Sequence, residues 1–460
     1  MIKILNRQLP EFKRTDHILK TYNYDDINSF QEDVLNTLDS QKNIILIGQV
    51  QSGKTRNVIE ICQKALQKYS YDLVIVFSGN TNDLNQQTYE RFEKEHYNVI
   101  TSNSLDKVSK LTSLIIVALK QVDNIKNIQN FIINHQDKFK KTLVIDDECD
   151  FCGINTAKDE YEYTRVYEGI YADIANSCSE TKVIKLTATP FANILSTKNH
   201  LEKKPKIFVL PTNNDYTGIN FFNKLNDFIF IRDGNDNKNH LILESLSIWI
   251  ISTFMMHQNK KIANNDKSDL LININYKNHE QNTIKEIVNR YIWERTFEIK
   301  KNIKKIIATE SKFHEVNYDD VSLFFENQMR SQINCIVYNQ TYNNKTNLNN
   351  YNIYVGGSFL SRGKTFDNLL CELIIINNDF NYDTLLQKCR WFGYRKSRSS
   401  YMAVICNKEV KTQLVLAEKI INFLHADYKG YELNYDRVLM ELRQKEDEFE
   451  KAKFTASGKR

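Results

Sequence analysis

The chain lacks the arrangements that mark a metalloprotein, a disulfide scaffold or a secreted protein. Its nine histidines are scattered, and none pairs at ligand spacing. Cys149 and Cys152 form a CxxC, but no second pair follows at zinc-ribbon spacing, so they read as ordinary thiols. Eight cysteines spread over 460 residues indicate a reducing compartment rather than a disulfide framework, and a cytoplasmic location is expected. No apolar stretch stands behind a basic region at the N-terminus, which argues against a secretory signal. Glycine (13) and proline (4) are few, while asparagine and lysine are abundant; this points to an AT-rich genome rather than a physical demand. The net charge is only +5, which excludes a general polycation and leaves any nucleic-acid surface to a local patch. The strongest apolar run, Leu241 to Met256, is broken by Glu244 and three serines. It is short for a membrane span, so a buried helix and no membrane partner are expected.

What is present starts with Gly48-Gln-Val-Gln51-Ser52-Gly53-Lys54-Thr55, a GxxxxGKT pattern. The apolar run Asn43 to Ile47 before it reads as a buried strand. Arg56 to Leu66 after it carries apolar residues at helical spacing. Strand, glycine-rich loop and helix form the context in which backbone N–H groups cradle anionic phosphate. ATP is the expected cofactor, with Mg²⁺. Lys54 would supply charge to the β- and γ-phosphates, and the Thr55 hydroxyl could ligate the metal.

Such a site needs acids at a second strand end. Thr142 to Ile145 reads as a buried strand running into Asp146-Asp147-Glu148-Cys149-Asp150. In the D-E-x-D register, Asp147 is the magnesium-side acid and Glu148 the water-orienting acid; the alternative register uses Asp146 for the metal. Further strand-like runs, at 72–77, 114–118 and 182–186, end in polar turns. Strands alternating with helices from about 40 to 195 indicate a parallel sheet with helices on both faces.

The order GxxxxGKT, strand-turn, D-E-x-D, Thr187-Ala188-Thr189 looks like the first motor domain of a superfamily 2 helicase. Gln31 sits where such proteins often place an adenine-reading glutamine. Asp269 to Ile274 restarts the strand pattern. The run from Ile353 through Gly363 to Asp367 is a strand entering a polar, glycine-rich turn. Thr384 to Arg395 follows. The last two segments look like late helicase motifs, with Gly363 and Asp367 on the nucleotide side and Arg390 and Arg395 as candidate arginine fingers.

The wording GQVQSGKT, FSGNTNDLNQQT, IDDECDFCGINT, TATPFANIL, GGSFLSRGKTFDNL and LLQKCRWFGYR resembles the bacterial Z1 domain family, from about residue 44 to 400. The resemblance implies two RecA-like α/β lobes with parallel sheets flanked by helices, a helical connector and a C-terminal helix. From the residues themselves, an amphipathic helix is expected over Glu286–Lys304, a polar loop over 339–350, and a solvated face on the charged helix over 436–451. The expected division is 1–30 lead-in, 31–205 first lobe, 206–266 connector with a buried helix, 267–425 second lobe and 426–460 charged helix and tail. It implies a helicase or translocase acting on nucleic acid, DNA before RNA, in restriction or phage defence. The rivals are a regulatory ATP switch of a defence complex and an endonuclease component. The family is often labelled an endonuclease, yet the acids that can be placed all belong to the ATP site. Cleavage would then come from a partner nuclease or another restriction protein. Where the family usually has glycine before the first late arginine, this chain has Cys389. The gap from Arg390 to Arg395 is longer than in ordinary helicases. Both arginines therefore remain candidates for the finger, with Arg395 preferred because it ends the GYR signature.

Overall fold

A computed structural model describes residues 17–79, 82–95, 97–150, 162–195, 204–219, 229–232, 237–262, 265–273, 278–338, 349–357, 365–375, 382–395, 397–424 and 429–444. Seventeen strands run through these residues. They are β1 (Ile18–Tyr22), β2 (Asn43–Ile47), β3 (Leu73–Phe77), β4 (Val99–Thr101), β5 (Leu114–Ala118), β6 (Lys141–Asp147), β7 (Glu180–Thr187), β8 (Lys206–Val209), β9 (Tyr216–Thr217), β10 (Ile229–Arg232), β11 (Ser268–Asn273), β12 (Ile333–Tyr338), β13 (Tyr351–Gly356), β14 (Leu369–Ile374), β15 (Gly393–Tyr394), β16 (Ala403–Asn407) and β17 (Gly430–Leu433). In β2, β3 and β5 every residue is buried. Such unbroken apolar strands belong in a parallel sheet covered on both faces.

The first sheet has the order β1-β17-β8-β2-β7-β6-β3-β5-β4. From β8 to β4 all pairings are parallel; β17 is antiparallel to both β8 and β1. The register pairs Ile47 with Thr187, Asp147 with Leu186, and Phe77 with both Asp146 and Ala118. The strands thus finish level, and the turns that follow them share one edge. Helices α1 (Ile27–Ser40), α2 (Lys54–Lys68), α3 (Asn82–Lys94) and α4 (Val122–Asn134) lie in the connections. The second sheet, β10-β16-β14-β11-β13-β12, is wholly parallel. The fold is of the expected α/β class, with two lobes built on parallel sheets flanked by helices. One hydrophobic core runs from Ile45, Ile47 and Val209 of the first sheet to Ile272, Leu373 and Ile405 of the second.

The helix Lys238–Gln258 packs against β14 and the helix Thr296–Thr309. Among the described residues it is the one helix long and apolar enough to cross a membrane, with mean hydropathy 1.2, but 78% of that stretch is buried inside the protein. Apolar residues cover its whole circumference because neighbours surround it.

Three details differ from the sequence reading. The first sheet takes strands from outside 31–205: β8 from the connector, β1 from the lead-in and β17 from near the C-terminus. The helix expected over Glu286–Lys304 is two helices, Asn278–Trp293 and Thr296–Thr309, because the N–H groups of both Glu294 and Arg295 turn back to the Arg290 carbonyl. The C-terminal helix, read as a solvated face, covers Tyr435–Gln444 and buries Val438 and Leu442. Its Tyr435 hydroxyl donates to the Ile194 carbonyl at 3.0 Å, so this segment docks on the first lobe. Residues 445–460, including the expected tail, lie outside the described residues, as does most of the expected loop over 339–350.

Candidate active site between the lobes

The phosphate loop leaves β2 with the Gly48 N–H bonded to the Thr187 carbonyl at 2.9 Å. A Cβ on Gly48 would lie 2.5 Å from Lys54 Cγ, so the loop closes tightly around this lysine. Gly53 stands at φ +82°, the left-handed region that glycine enters freely, and begins α2. Gln51 has φ +56°, which for a residue with a side chain costs roughly 1–2 kcal/mol. Lys54 Nζ donates to the carbonyls of Gln49 (3.1 Å) and Gly48 (3.3 Å). Burial lowers its pKa, opposed by the charges of Asp147, Glu148 and Asp150. Ser52 Oγ and Gln51 Nε2 are buried without a hydrogen-bond partner. Buried polar atoms are normally paired, so these two suit a polar ligand.

The acids divide by strand alternation. Asp146 turns away from the cleft, pairing with Lys120 Nζ at 2.6 Å and accepting from the Tyr171 hydroxyl. Asp147 and Glu148 line the cleft. Burial, together with the neighbouring Glu148 charge, pushes Asp147 up to about 6, against the pull of Lys54 and Lys120. Glu148 sits at φ +51°, a second strained backbone position in the site. Asp150 accepts from Thr187 Oγ1 and Thr189 Oγ1, both at 2.8 Å, and so ties the acidic turn to the Thr-Ala-Thr segment. Across the cleft, Gln387 Nε2 of the second lobe approaches the same carboxylate at 3.4 Å.

The two late arginines occupy different surroundings. Arg390 follows the short helix Tyr382–Lys388, and its N–H donates to Glu372 Oε2 at 3.1 Å. Its guanidinium is buried, which lowers its pKa, and the first charge opposing that shift is Glu148 of the other lobe. Burial also pushes Glu372 itself up to about 8. Arg395 donates to the carbonyls of Phe366 (2.8 Å), Arg390 (3.2 Å), Phe392 (3.3 Å) and Asp367 (3.3 Å), and to Gln51 Oε1 at 3.4 Å. Burial pushes it down to about 10, so it stays charged at neutral pH. Cys389 faces the core and donates to the Leu385 carbonyl, which explains why this position takes a side chain.

A cavity of about 970 Å³ lies between the lobes. Lys54, Thr55, Asp147, Glu148, Asp367, Arg390 and Arg395 all line it, as do Gln51 and Gly53. Gly48 and Ser52 belong to the loop beneath. Gln31 is not brought to the cleft. It is buried between α1 and α2, donating to Asn57 Oδ1 (3.0 Å) and Glu60 Oε2 (2.6 Å) and accepting from Lys64 (2.8 Å). Gly363 lies outside the described residues.

Two segments of the chain match known families. Residues 17–192 match the type III restriction enzyme res subunit, and residues 242–434 match the Z1 domain. The Z1 match thus follows the restriction-enzyme match along the chain. The chain is a helicase-like ATP-hydrolysing enzyme. No curated protein matches the sequence. Among solved structures, S. cerevisiae Dbp5 bound to RNA and ADP BeF3 aligns at 10% identity and TM-score 0.43, covering 92% of this chain and 99% of that one. The DUF1998 helicase MrfA bound to DNA aligns at 10% identity and TM-score 0.43, covering 86% of this chain and 51% of that one.

Sequence reasoning missed a small clasp on the phosphate loop. Strands β9 and β15 pair Tyr216 with Tyr394. The Tyr216 hydroxyl donates to the Val50 carbonyl at 2.5 Å and the Tyr394 hydroxyl to the Ser52 carbonyl at 3.3 Å. Two-residue strands leave no periodicity to detect; the GYR wording was the sole signal. Lys120 was missed as well, being a lone lysine at the end of an apolar strand.

Proposed function

We propose that this chain is an ATP-dependent nucleic-acid motor, a helicase or translocase, that acts on DNA in bacterial restriction or phage defence. The observation that carries the reading is the shared cleft. Lys54 and Glu148 come from the first lobe and Arg390 from the second, and the Gln387–Asp150 contact bridges the lobes. The match of residues 17–192 to a restriction-enzyme subunit favours DNA over RNA. The functional division is drawn at 31–205 and 267–425, with β1, β8 and β17 added to the first lobe and the rest of 206–266 as connector.

In this reading the loop amides from Gly48 to Thr55 hold the phosphates and Lys54 exchanges its loop carbonyls for phosphate oxygens. Thr55 and Asp147 would hold Mg²⁺. The donor set fits, being a hydroxyl and a carboxylate that keep company with phosphate oxygens. The ion, when bound, neutralises charge on the phosphates. Glu148 orients the attacking water. Arg390 is the finger, since it lines the cleft with Lys54 and Glu148 while the guanidinium of Arg395 is bonded to four carbonyls. Arg395 holds the turn through its carbonyl contacts, a reversal of the preference that the signature suggested. Gln31 braces α1 on α2 rather than reading adenine. Nucleic acid runs over both lobes, held through phosphates by polar turns such as Ser78-Gly79 and Gly356-Gly357, so binding tolerates sequence and weakens with salt.

Cutting, where it accompanies this activity, falls to a partner nuclease. The seven described cysteines are free thiols, in keeping with a cytoplasmic location. ATPase rate with and without single-stranded DNA, duplex DNA and RNA tests the proposal. Stimulation of about tenfold or more by DNA is expected. No stimulation by any of the three would leave a regulatory ATP switch.

A further inference from the structure

We infer that Lys120 is a positioning residue that sets Glu148 for ATP hydrolysis. It stands just beyond β5, and its side chain is fully buried, as is that of Asp146. Three of its bonds reach the ends of neighbouring strands. Its N–H donates to the Gly79 carbonyl at 2.9 Å, past the end of β3. Its Nζ pairs with Asp146 Oδ1 at 2.6 Å, on β6. The same Nζ donates to the carbonyl of Glu148 at 2.8 Å.

The third bond matters most. Glu148 holds φ +51°, a conformation that residues with side chains adopt reluctantly and that must be held by its surroundings. A charged donor on its own carbonyl does this. Asp146 is what allows a charged lysine to stay there, because an unpaired buried ammonium would give up its proton. The Tyr171 hydroxyl on Asp146, and Lys185 Nζ 4.5 Å from the Tyr171 ring centre, extend the same buried network. Gly79 completes it: a Cβ there would lie 3.7 Å from Glu148 Oε2, so the carboxylate rests against the β3 turn. Lys120 therefore joins the ends of β3, β5 and β6 at the acid that faces the nucleotide. The inference rests on Glu148 being the water-orienting acid. If the β3 turn contacts nucleic acid as proposed, Lys120 is also the link through which that contact reaches Glu148.

The test removes both charges together, so that no buried charge is stranded. Lys120→Met with Asp146→Asn is compared with the parent in basal ATPase, without nucleic acid. A positioning role predicts a kcat lower by about 10–100-fold with KM for ATP within about threefold. In a Glu148→Gln background the same pair changes kcat by less than about twofold, because the residue it positions no longer works. A folded double variant with parental kcat would overturn the inference. Should the double variant not fold, Lys120→Gln answers the same question. It keeps a donor for Asp146 but is one bond too short to reach the Glu148 carbonyl as well, and parental turnover in it would overturn the role. Glu148→Gln with parental turnover is a separate failure, that of the acid's own assignment. Basal turnover is the readout throughout, so the result stands whichever way nucleic-acid stimulation falls.

Discussion

The two sides of the cleft are built differently. On the first lobe, Lys54, Asp147 and Glu148 stand at or just beyond the ends of parallel strands β2 and β6, whose register fixes where each chain leaves the sheet. On the second lobe, Arg390 and Arg395 come from a turn after a seven-residue helix. That turn is fixed by the bond of Glu372 to the Arg390 N–H and by four carbonyls gathered under Arg395. One side is positioned by the sheet, the other by side chains. Substitutions on the first side should therefore change chemistry and spare the fold. Those on the second should change both, except where the side chain points into the cleft.

The largest effect falls on the first side. Lys54→Ala should lower ATP turnover by about 10³-fold or more while the melting temperature stays within about 2 °C, because Lys54 fills no core space. Glu148→Gln should keep ATP binding, measured by fluorescent-nucleotide titration, and turn over about 10²-fold more slowly. Normal turnover in Glu148→Gln, with loss in Asp147→Asn, would shift the acidic register by one.

The second side gives mixed effects. Arg395→Ala should lower turnover by about 10-fold and also lower the melting temperature by a few degrees, since four carbonyls and Gln51 lose their donor. Arg395→Lys should not restore it, because an ammonium cannot span the same spread of acceptors. Turnover lost without any change in melting would move Arg395 to the chemical side of the comparison.

The smallest effect comes from Glu372, pushed up to about 8 by burial from the ordinary 4.5. Below 4.5 both folded and unfolded chains hold this proton. Between 4.5 and 8 the folded chain keeps a proton that the unfolded chain releases, so stability falls as pH rises through that window. Glu372→Gln removes the penalty. It should melt with the parent near pH 4.5 and on the order of 1–3 °C above it at pH 8.5, read by thermal melts at both.

Legibility followed the same divide. Strands β2, β3, β5, β6, β7 and β11 could be read from apolar runs because both faces of each are buried, and GxxxxGKT and D-E-x-D stand at strand ends. Strand β1 could not, because three of its five residues are exposed and it pairs with a segment more than 400 positions away. Nor could β17, four residues long, whose partners β1 and β8 both lie more than 200 positions away along the chain. Gln31 could not be placed from the sequence, because a glutamine on an apolar helix looks the same whether it faces a ligand or, as here, bonds to Asn57, Glu60 and Lys64. The roles of Arg390 and Arg395 could not be separated by spacing, since what distinguishes them is which carbonyls lie nearby in the folded chain.

Steady-state and ATP-binding measurements on Arg390→Ala test most directly whether the second lobe acts on a nucleotide held by the first. Charge on the γ-phosphate is greatest as the bond breaks, so this side chain should matter for turnover far more than for affinity. The account predicts kcat lower by at least about 10²-fold, with ATP affinity within about threefold and parental melting. Full turnover in folded Arg390→Ala, with nucleic acid present, would contradict it.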